Sequence, residues 1–201
     1  LFYGNYNGNS HGTGTGSAVA ARGVLRSGVS TTGALIPDWA YVGGGTVWGS
    51  APEAKIFSSN LFSVGTTDYD SWVVQAVGYD GIPGTGDEAQ VQTNSWGWTS
   101  REDAWMGNYS RILTLLNAFF PYTTWVVGTG NGGPGYGTSS APGTSPKAIT
   151  VGGYDLNGTT LYYNEPIAGP DQILFGDLTP YSSKGPNTAG RGDVEIMGIA
   201  D

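Results

Sequence analysis

Short apolar runs rich in Val, Ile and aromatic residues alternate along this chain with longer stretches of helical apolar spacing. That alternation predicts an α/β domain built on a mostly parallel sheet with helices on both faces. Strands are expected near Ala54–Ser58, Gln90–Ser95, Thr124–Thr129, Ala148–Gly152 and Val194–Met197. Several of these runs are continuously apolar, as strands buried on both faces should be. The clearest helix spans about Asp103–Phe119, where Trp105, Met106, Tyr109, Ile112, Leu113, Leu116 and Phe120 recur at three- and four-residue spacing. Its aromatic stripe reads as core. A second helix fits Tyr69–Tyr79, with Asp70 or Ser71 able to cap the first N–H groups. A third, about His11–Leu25, holds Gly14 and Gly16 among Ser17, Ala18, Ala20 and Ala21. Each helix glycine costs about 1 kcal/mol relative to alanine, so their presence predicts that other backbone packs closely there.

Gly-rich loops separate these elements: Gly43-Gly44-Gly45, Gly81 to Gly86, and Gly130 to Gly135. None combines a preceding strand, a following helix and the charged partner that a nucleotide site needs. No repeat period or interdomain linker is visible. Composition narrows the picture further. Eight Lys and Arg against sixteen Asp and Glu give a formal charge of −8, which argues against nucleic acid or an anionic membrane as the main partner. Absence of cysteine excludes a disulfide framework and a Cys-based metal site. Thirty-five Gly, abundant Ser and Thr and only 12% charged residues describe a loop-rich globular chain with the surface of an extracellular protein. Sequons at Asn108-Tyr109-Ser110 and Asn157-Gly158-Thr159 are compatible with secretion. No apolar run approaches the ~20 residues needed to span a bilayer, and no signal peptide opens the chain.

The candidate chemistry starts at Asn9-Ser10-His11-Gly12-Thr13-Gly14-Thr15-Gly16-Ser17-Ala18-Val19-Ala20-Ala21. The chain's single histidine opens a helix of very small residues, which can present an imidazole at a cleft and bury tightly behind it. This segment resembles the histidine motif of the subtilases, a family of serine peptidases, and further segments follow in that family's order. Gly49-Ser50-Ala51-Pro52-Glu53-Ala54-Lys55-Ile56 resembles "GVAPxAxI", and Val91-Gln92-Thr93-Asn94-Ser95-Trp96-Gly97 resembles the "xxxNxSxG" strand. Trp125-Val126-Val127-Gly128-Thr129-Gly130-Asn131-Gly132-Gly133 is similar to "VVxAAGNxG", with Ala148 to Gly153 behind it like "VITVGA". Tyr181-Ser182-Ser183-Lys184-Gly185-Pro186, then Gly190-Arg191 and Asp193-Val194, resembles "FSSRGP…GRxKPDV".

The resemblance implies a subtilisin-like three-layer α/β fold and serine endopeptidase chemistry. His11 would be the general base of an Asp/His/Ser triad, and Asn131 the side-chain donor to the oxyanion. Ser95, Trp96 and Gly97 would pair with the bound peptide as an added strand, with Thr66-Thr67-Asp68 pairing from the other side. Gly128, Thr129 and Gly130 would line the pocket for the side chain before the scissile bond. Gly14 stands where the family commonly has a second histidine, a change that bears on packing more than chemistry.

Only ten residues precede His11, none of them acidic, and no Gly-Thr-Ser helix motif follows Pro186. Residues 1–201 are therefore expected to be the incomplete central portion of one catalytic domain, inactive alone and partnered by the remaining segments of its precursor. The competing reading is a degenerate, non-catalytic subtilase-like domain serving as a scaffold or binding module in an extracellular assembly. Gly137-Thr138-Ser139-Ser140-Ala141-Pro142 mimics the serine motif, but Pro142, Gly143 and Pro146 forbid the helix that must follow, so Ser139 is rejected as nucleophile. The acidic loop Asp80 to Glu88 has oxygen ligands enough for a structural calcium, with a solvated loop the preferred reading. No cofactor is required, no metal ligand is assigned, and the partner is a peptide or protein substrate outside the cell.

Overall fold

The computed structural model describes residues 11–21, 49–57, 62–63, 66–67, 69–97, 107–154, 161–162, 165–166 and 177–200. Asn9, Ser10, Ser58, Asp68, positions 22–25, 43–45 and 103–106, and the sequon at Asn157 lie outside them. The chain divides into two compact units, residues 1–67 and 68–201.

In the first unit, helix α1 runs from His11 to Ala20. The last carbonyls of a helix have no partner within it. Here the 49–51 segment supplies donors: Gly49 N–H to Ala21 O (2.9 Å), Ser50 N–H to Ala18 O (2.9 Å) and Ala51 N–H to Val19 O (2.7 Å). This ends the helix short of the Leu25 predicted from spacing. A close approach of other backbone to this helix is found at Gly49 of the capping segment. A Cβ on Gly14 would meet nothing within 4 Å among the described residues, whereas one on Gly49 would lie 2.5 Å from Val19 O and Ala20 N. Gly49→Ala is thus expected to push the capping segment off α1 and to cost about 1–3 kcal/mol, read as a lowered Tm; an unchanged Tm would mean that the segment gives way freely. Residues 54–57 of the run predicted as a strand at Ala54–Ser58 are irregular and exposed, with no β-ladder to them among the described residues and an Ala54 N–H to Ala51 O turn bond (2.9 Å) at their start; Ser58 lies outside the described residues. Strands β1 (Phe62–Ser63) and β2 (Thr66–Thr67) pair antiparallel.

The second unit opens with helix α2, Asp70–Val77. Its N-cap is Tyr69, with no side-chain cap bond, rather than Asp70 or Ser71. Packing decides the helix entry instead: the Tyr69 ring lies against Trp72 (6.0 Å) and Tyr109 (5.7 Å), and Asp70 falls in the first turn, where a carboxylate suits the helix dipole. Gly78, at φ 86°, closes the helix by donating to Val74 O. Then follow β3 (Val91–Asn94), α3 (Asn108–Phe119), β4 (Thr124–Gly128), β5 (Ile149–Tyr154), the antiparallel pair β6 (Leu161–Tyr162) and β7 (Glu165–Pro166), and β8 (Ile196–Ile199).

Strands β3, β4, β5 and β8 form one sheet in that order, parallel throughout. This is the α/β class expected from the alternating pattern. Trp125 on β4, 1% exposed, packs edge-on against Trp72 of α2 at 5.6 Å, with Val127, Ala76, Leu113 and Leu116 buried around them. The rest of the interior departs from the composition-based picture, in which serine and threonine read as surface. Ser110, Thr144, Ser145, Thr150, Ser182 and Ser183 are all buried. They satisfy one another and the backbone: Ser110 Oγ with Thr144 Oγ1 (2.6 Å), Thr114 Oγ1 with Ser145 Oγ (2.8 Å), and Thr150 Oγ1 donating to Gly143 O (2.6 Å). Small hydroxyls that find partners can fill a core at close backbone spacing without a desolvation penalty.

Candidate active site

In a parallel α/β sheet, ligands bind beyond the carboxyl ends of the strands. Here Asn94 is in register with Val127, so the chain leaving β3 as Ser95-Trp96-Gly97 runs beside the end of β4 at Gly128-Thr129-Gly130. A Cβ on Gly128 would lie 3.9 Å from Asn94 O. Ser95 and Gly97 are exposed. Trp96 turns its ring inward, 5.5 Å from both Trp72 and Tyr109, and its Nε1 donates to Asn94 Oδ1 at 3.2 Å. An aromatic anchor on a buried asparagine holds this short exposed stretch of backbone in place. Burial pushes the neighbouring Tyr69 hydroxyl up to about 12, with Tyr109 beside it acting in the same direction.

Thr129 is buried, so it contributes backbone rather than side chain: its carbonyl accepts from Ser140 N (3.0 Å) and Ser140 Oγ (3.2 Å). Ser140 thereby sits between the two segments. A Cβ on Gly130, which adopts φ 106°, would lie 2.5 Å from Ser140 Oγ, and Ser140 Oγ is also the nearest atom to a Cβ on Gly97. Both glycines are needed because that hydroxyl occupies the floor of the gap between them. Sequence reasoning passed over Ser140 because it lies in the Gly137–Pro142 mimic of the serine motif. Residues 141–148 indeed form turns and no helix there. Asn131 follows directly, exposed, between Gly130 and Gly132.

His11 is the first residue of α1, exposed, with Thr15 Oγ1 donating to its carbonyl (3.0 Å). It belongs to the first unit, as do Thr66 and Thr67 of β2, while Ser95 to Gly97 and Gly128 to Asn131 come together in the second.

The acidic loop is organised by its own amides. Asp87 accepts from Tyr79 N (2.9 Å) and Asp80 N (3.1 Å), Asp80 from Ile82 N (2.8 Å), and Glu88 from Gly84 N, Thr85 N and Gly86 N. A bond from its own backbone N–H, together with those of Gly84, Gly86 and Thr85, holds the Glu88 carboxyl below its ordinary value. Among the described residues, no three His, Cys, Asp or Glu side chains are grouped to hold a metal ion.

Asp193 has no counterpart among the residues given a role from sequence. It is buried at φ 63°, accepting from Asn187 Nδ2 (2.9 Å), with Arg191 Nη1 3.8 Å away. Burial pushes its carboxyl up to about 6; the Arg191 charge and the Asn187 amide oppose this, and Glu195 adds to it. Because the folded value lies above the ordinary 3.8, the folded state binds the extra proton between about pH 4 and 6. Stability from this group is then full below about pH 4 and is lost as pH rises through about 6. Asp193→Asn, tolerated at positive φ, is expected to match the wild-type Tm near pH 4 and exceed it by a few degrees at pH 8. Equal Tm values across that range would show that the carboxylate is better solvated than its burial implies.

The chain has counterparts among known proteins. The sequence matches the model of the subtilase family, Peptidase S8, over residues 2–200. The chain belongs to the subtilase family. Among solved structures, this subtilase chain is similar to S41 psychrophilic protease, at 22% identity and a TM-score of 0.52, over 78% of this chain and 47% of that one. It is also similar to sphericase, at 20% identity and a TM-score of 0.53, over 91% of this chain and 54% of that one. At such identities the likeness concerns the fold. The subtilase chain spans about half the length of these structures. No curated protein matches it. No helix among the described residues is long and apolar enough to cross a membrane.

Proposed function

We infer that this chain supplies the peptide-binding edge, the general base and the oxyanion donor of a secreted serine endopeptidase. Its nucleophilic serine and triad aspartate would be carried by other parts of the same polypeptide. The observation that carries this reading is the juxtaposition of Ser95–Gly97 with Gly128–Asn131 at the carboxyl ends of β3 and β4, over the Ser140 floor. An extended peptide pairs with the exposed backbone of Ser95 and Gly97, its main-chain hydrogen bonds giving affinity. The side chain preceding the scissile bond enters between the two glycine-containing segments. As the serine oxygen attacks the carbonyl carbon, His11 takes its proton and later returns it to the leaving amine. Negative charge collects on the former carbonyl oxygen, where the Asn131 side-chain amide donates to it.

This chemistry requires no cofactor. Family membership and the net charge of −8 support a peptide substrate over a nucleic acid. The sequons and low charged content support an extracellular setting. The reading is tested by the gene on either side of this segment. An acid-bearing strand motif upstream and a Gly-Thr-Ser helix downstream are expected. Replacement of either would leave a subtilase fold kept for binding or scaffolding.

A further inference from the structure

Asn131 stands between two glycines, and a Gly-Asn-Gly turn has little intrinsic stiffness, since neither neighbour carries a side chain to restrict it. A donor that must meet charge developing on one oxygen gains most when its direction is fixed beforehand. Something outside the turn must therefore hold it. The peptide plane before Asn131 ends in the Gly130 carbonyl, and the plane after it carries the Gly132 N–H. Ser183 engages both. Its own N–H donates to Gly130 O at 2.9 Å, and its Oγ accepts from Gly132 N at 2.8 Å. Because peptide units are rigid planes, fixing the two that meet at the Asn131 Cα fixes both of its backbone dihedrals, and with them the direction of its Cα–Cβ bond. Ser183 is itself 2% exposed, and Gly133 N donates to Tyr181 O at 3.0 Å, so the gripping segment is anchored to the turn at a second point.

We propose that Ser183 is a positioning residue for Asn131, its side-chain oxygen setting the aim of the oxyanion donor. This rests on the peptidase reading above. The neighbouring Ser182 provides the internal comparison. It is equally buried, but its Oγ accepts from Gly153 N (3.0 Å) on β5 and touches neither peptide plane of Asn131. Ser183→Ala keeps the backbone bond to Gly130 and releases the plane after Asn131, while Ser182→Ala leaves both planes held.

The test is a kinetic cycle on the full-length protein with a chromogenic peptide, using Ser183→Ala, Ser182→Ala, Asn131→Ala and the Asn131→Ala/Ser183→Ala double variant. Ser183→Ala is expected to lower kcat about tenfold or more with KM within about threefold, as small misplacements of catalytic groups do. In the Asn131→Ala background the same change should cost less than about twofold, because the group it aims is gone. Ser182→Ala should lower Tm without moving kcat. Ser183→Thr, which keeps the oxygen, should retain most of the activity. Should Ser183→Ala not fold, Ser183→Cys, similar in size but a poor acceptor, carries the same comparison. An equal loss in both backgrounds, an equal loss in Ser182→Ala, or no loss in Ser183→Ala overturns the proposal while leaving the peptidase reading intact. An Asn131→Ala enzyme with undiminished kcat removes the oxyanion assignment, and this proposal with it.

Discussion

Replacing His11 by alanine in the full-length protein is expected to lower kcat by about a million-fold, a scale known from a subtilisin rather than derived for this chain. The reasoning is chemical. A serine hydroxyl is a weak nucleophile unless a base removes its proton as the bond forms, and the sequence holds no second histidine to substitute. What survives should be the background left by substrate binding and the oxyanion donor. KM should move little, because an imidazole that acts in proton transfer contributes to the transition state more than to ground-state binding. Tm should also stay near wild type, since His11 is exposed on the first residue of α1. Kinetics on a peptide amide, with thermal melts of both proteins, check this directly. A loss smaller than about tenfold would remove His11 from the chemistry.

Asn131→Ala is expected to cost about 10²- to 10³-fold in kcat, or roughly 3–4 kcal/mol of transition-state stabilisation, again a magnitude taken from a subtilisin. The ground-state carbonyl is a weak acceptor and the tetrahedral oxyanion a strong one, so the loss should fall on kcat and leave KM within about threefold. Asn131 is exposed between two glycines, and its removal should leave the fold as stable as before. A matched rise in KM with unchanged kcat would instead make Asn131 a substrate-binding residue. Asn131→Leu, similar in shape without the amide, should behave like alanine if hydrogen bonding is what matters.

How much of this was legible in sequence depended on whether a feature leaves a periodic or ordered trace. Val91–Asn94, Thr124–Gly128 and Ile149–Tyr154 overlap their predicted runs; alternate residues of each are buried, and the opposite face is more exposed than the burial on both faces expected from sequence. Helix α2 falls within the predicted Tyr69–Tyr79 stretch, and α3 within the predicted Asp103–Phe119 stretch, whose spacing residues Leu113 and Leu116 are buried. Residues 54–57, which form no strand, show the limit of local pattern: a run with strand-like composition becomes a strand only when another backbone pairs with it. Helix α1 ran short for a related reason, since its end is set by donors from Gly49, Ser50 and Ala51 some thirty residues away in sequence.

The site residues divide in the same way. His11, Asn131 and the Ser95–Gly97 and Gly128–Gly130 segments owe their expected roles to motif order, which carries family history that physics alone does not encode. Ser140, Ser183 and Asp193 were quoted within motifs but given no role. Each acts through burial and through bonds to backbone in another loop: Ser140 to Thr129, Ser183 to Gly130 and Gly132, and Asp193 to Asn187. A buried hydroxyl in a glycine-rich turn has the same composition as a solvated one. Only the three-dimensional partner distinguishes them.

The proposed function places this subtilase chain in a working serine peptidase in which His11 activates the nucleophile. The most direct measurement is labelling of the full-length protein with a serine-directed fluorophosphonate, wild type beside His11→Ala, with folding of both confirmed by thermal melts. Stoichiometric modification of one serine outside this segment is expected in the wild type, and almost none in the variant. A folded wild-type protein that stays unlabelled, or a His11→Ala variant labelled as fast as the wild type, would contradict it.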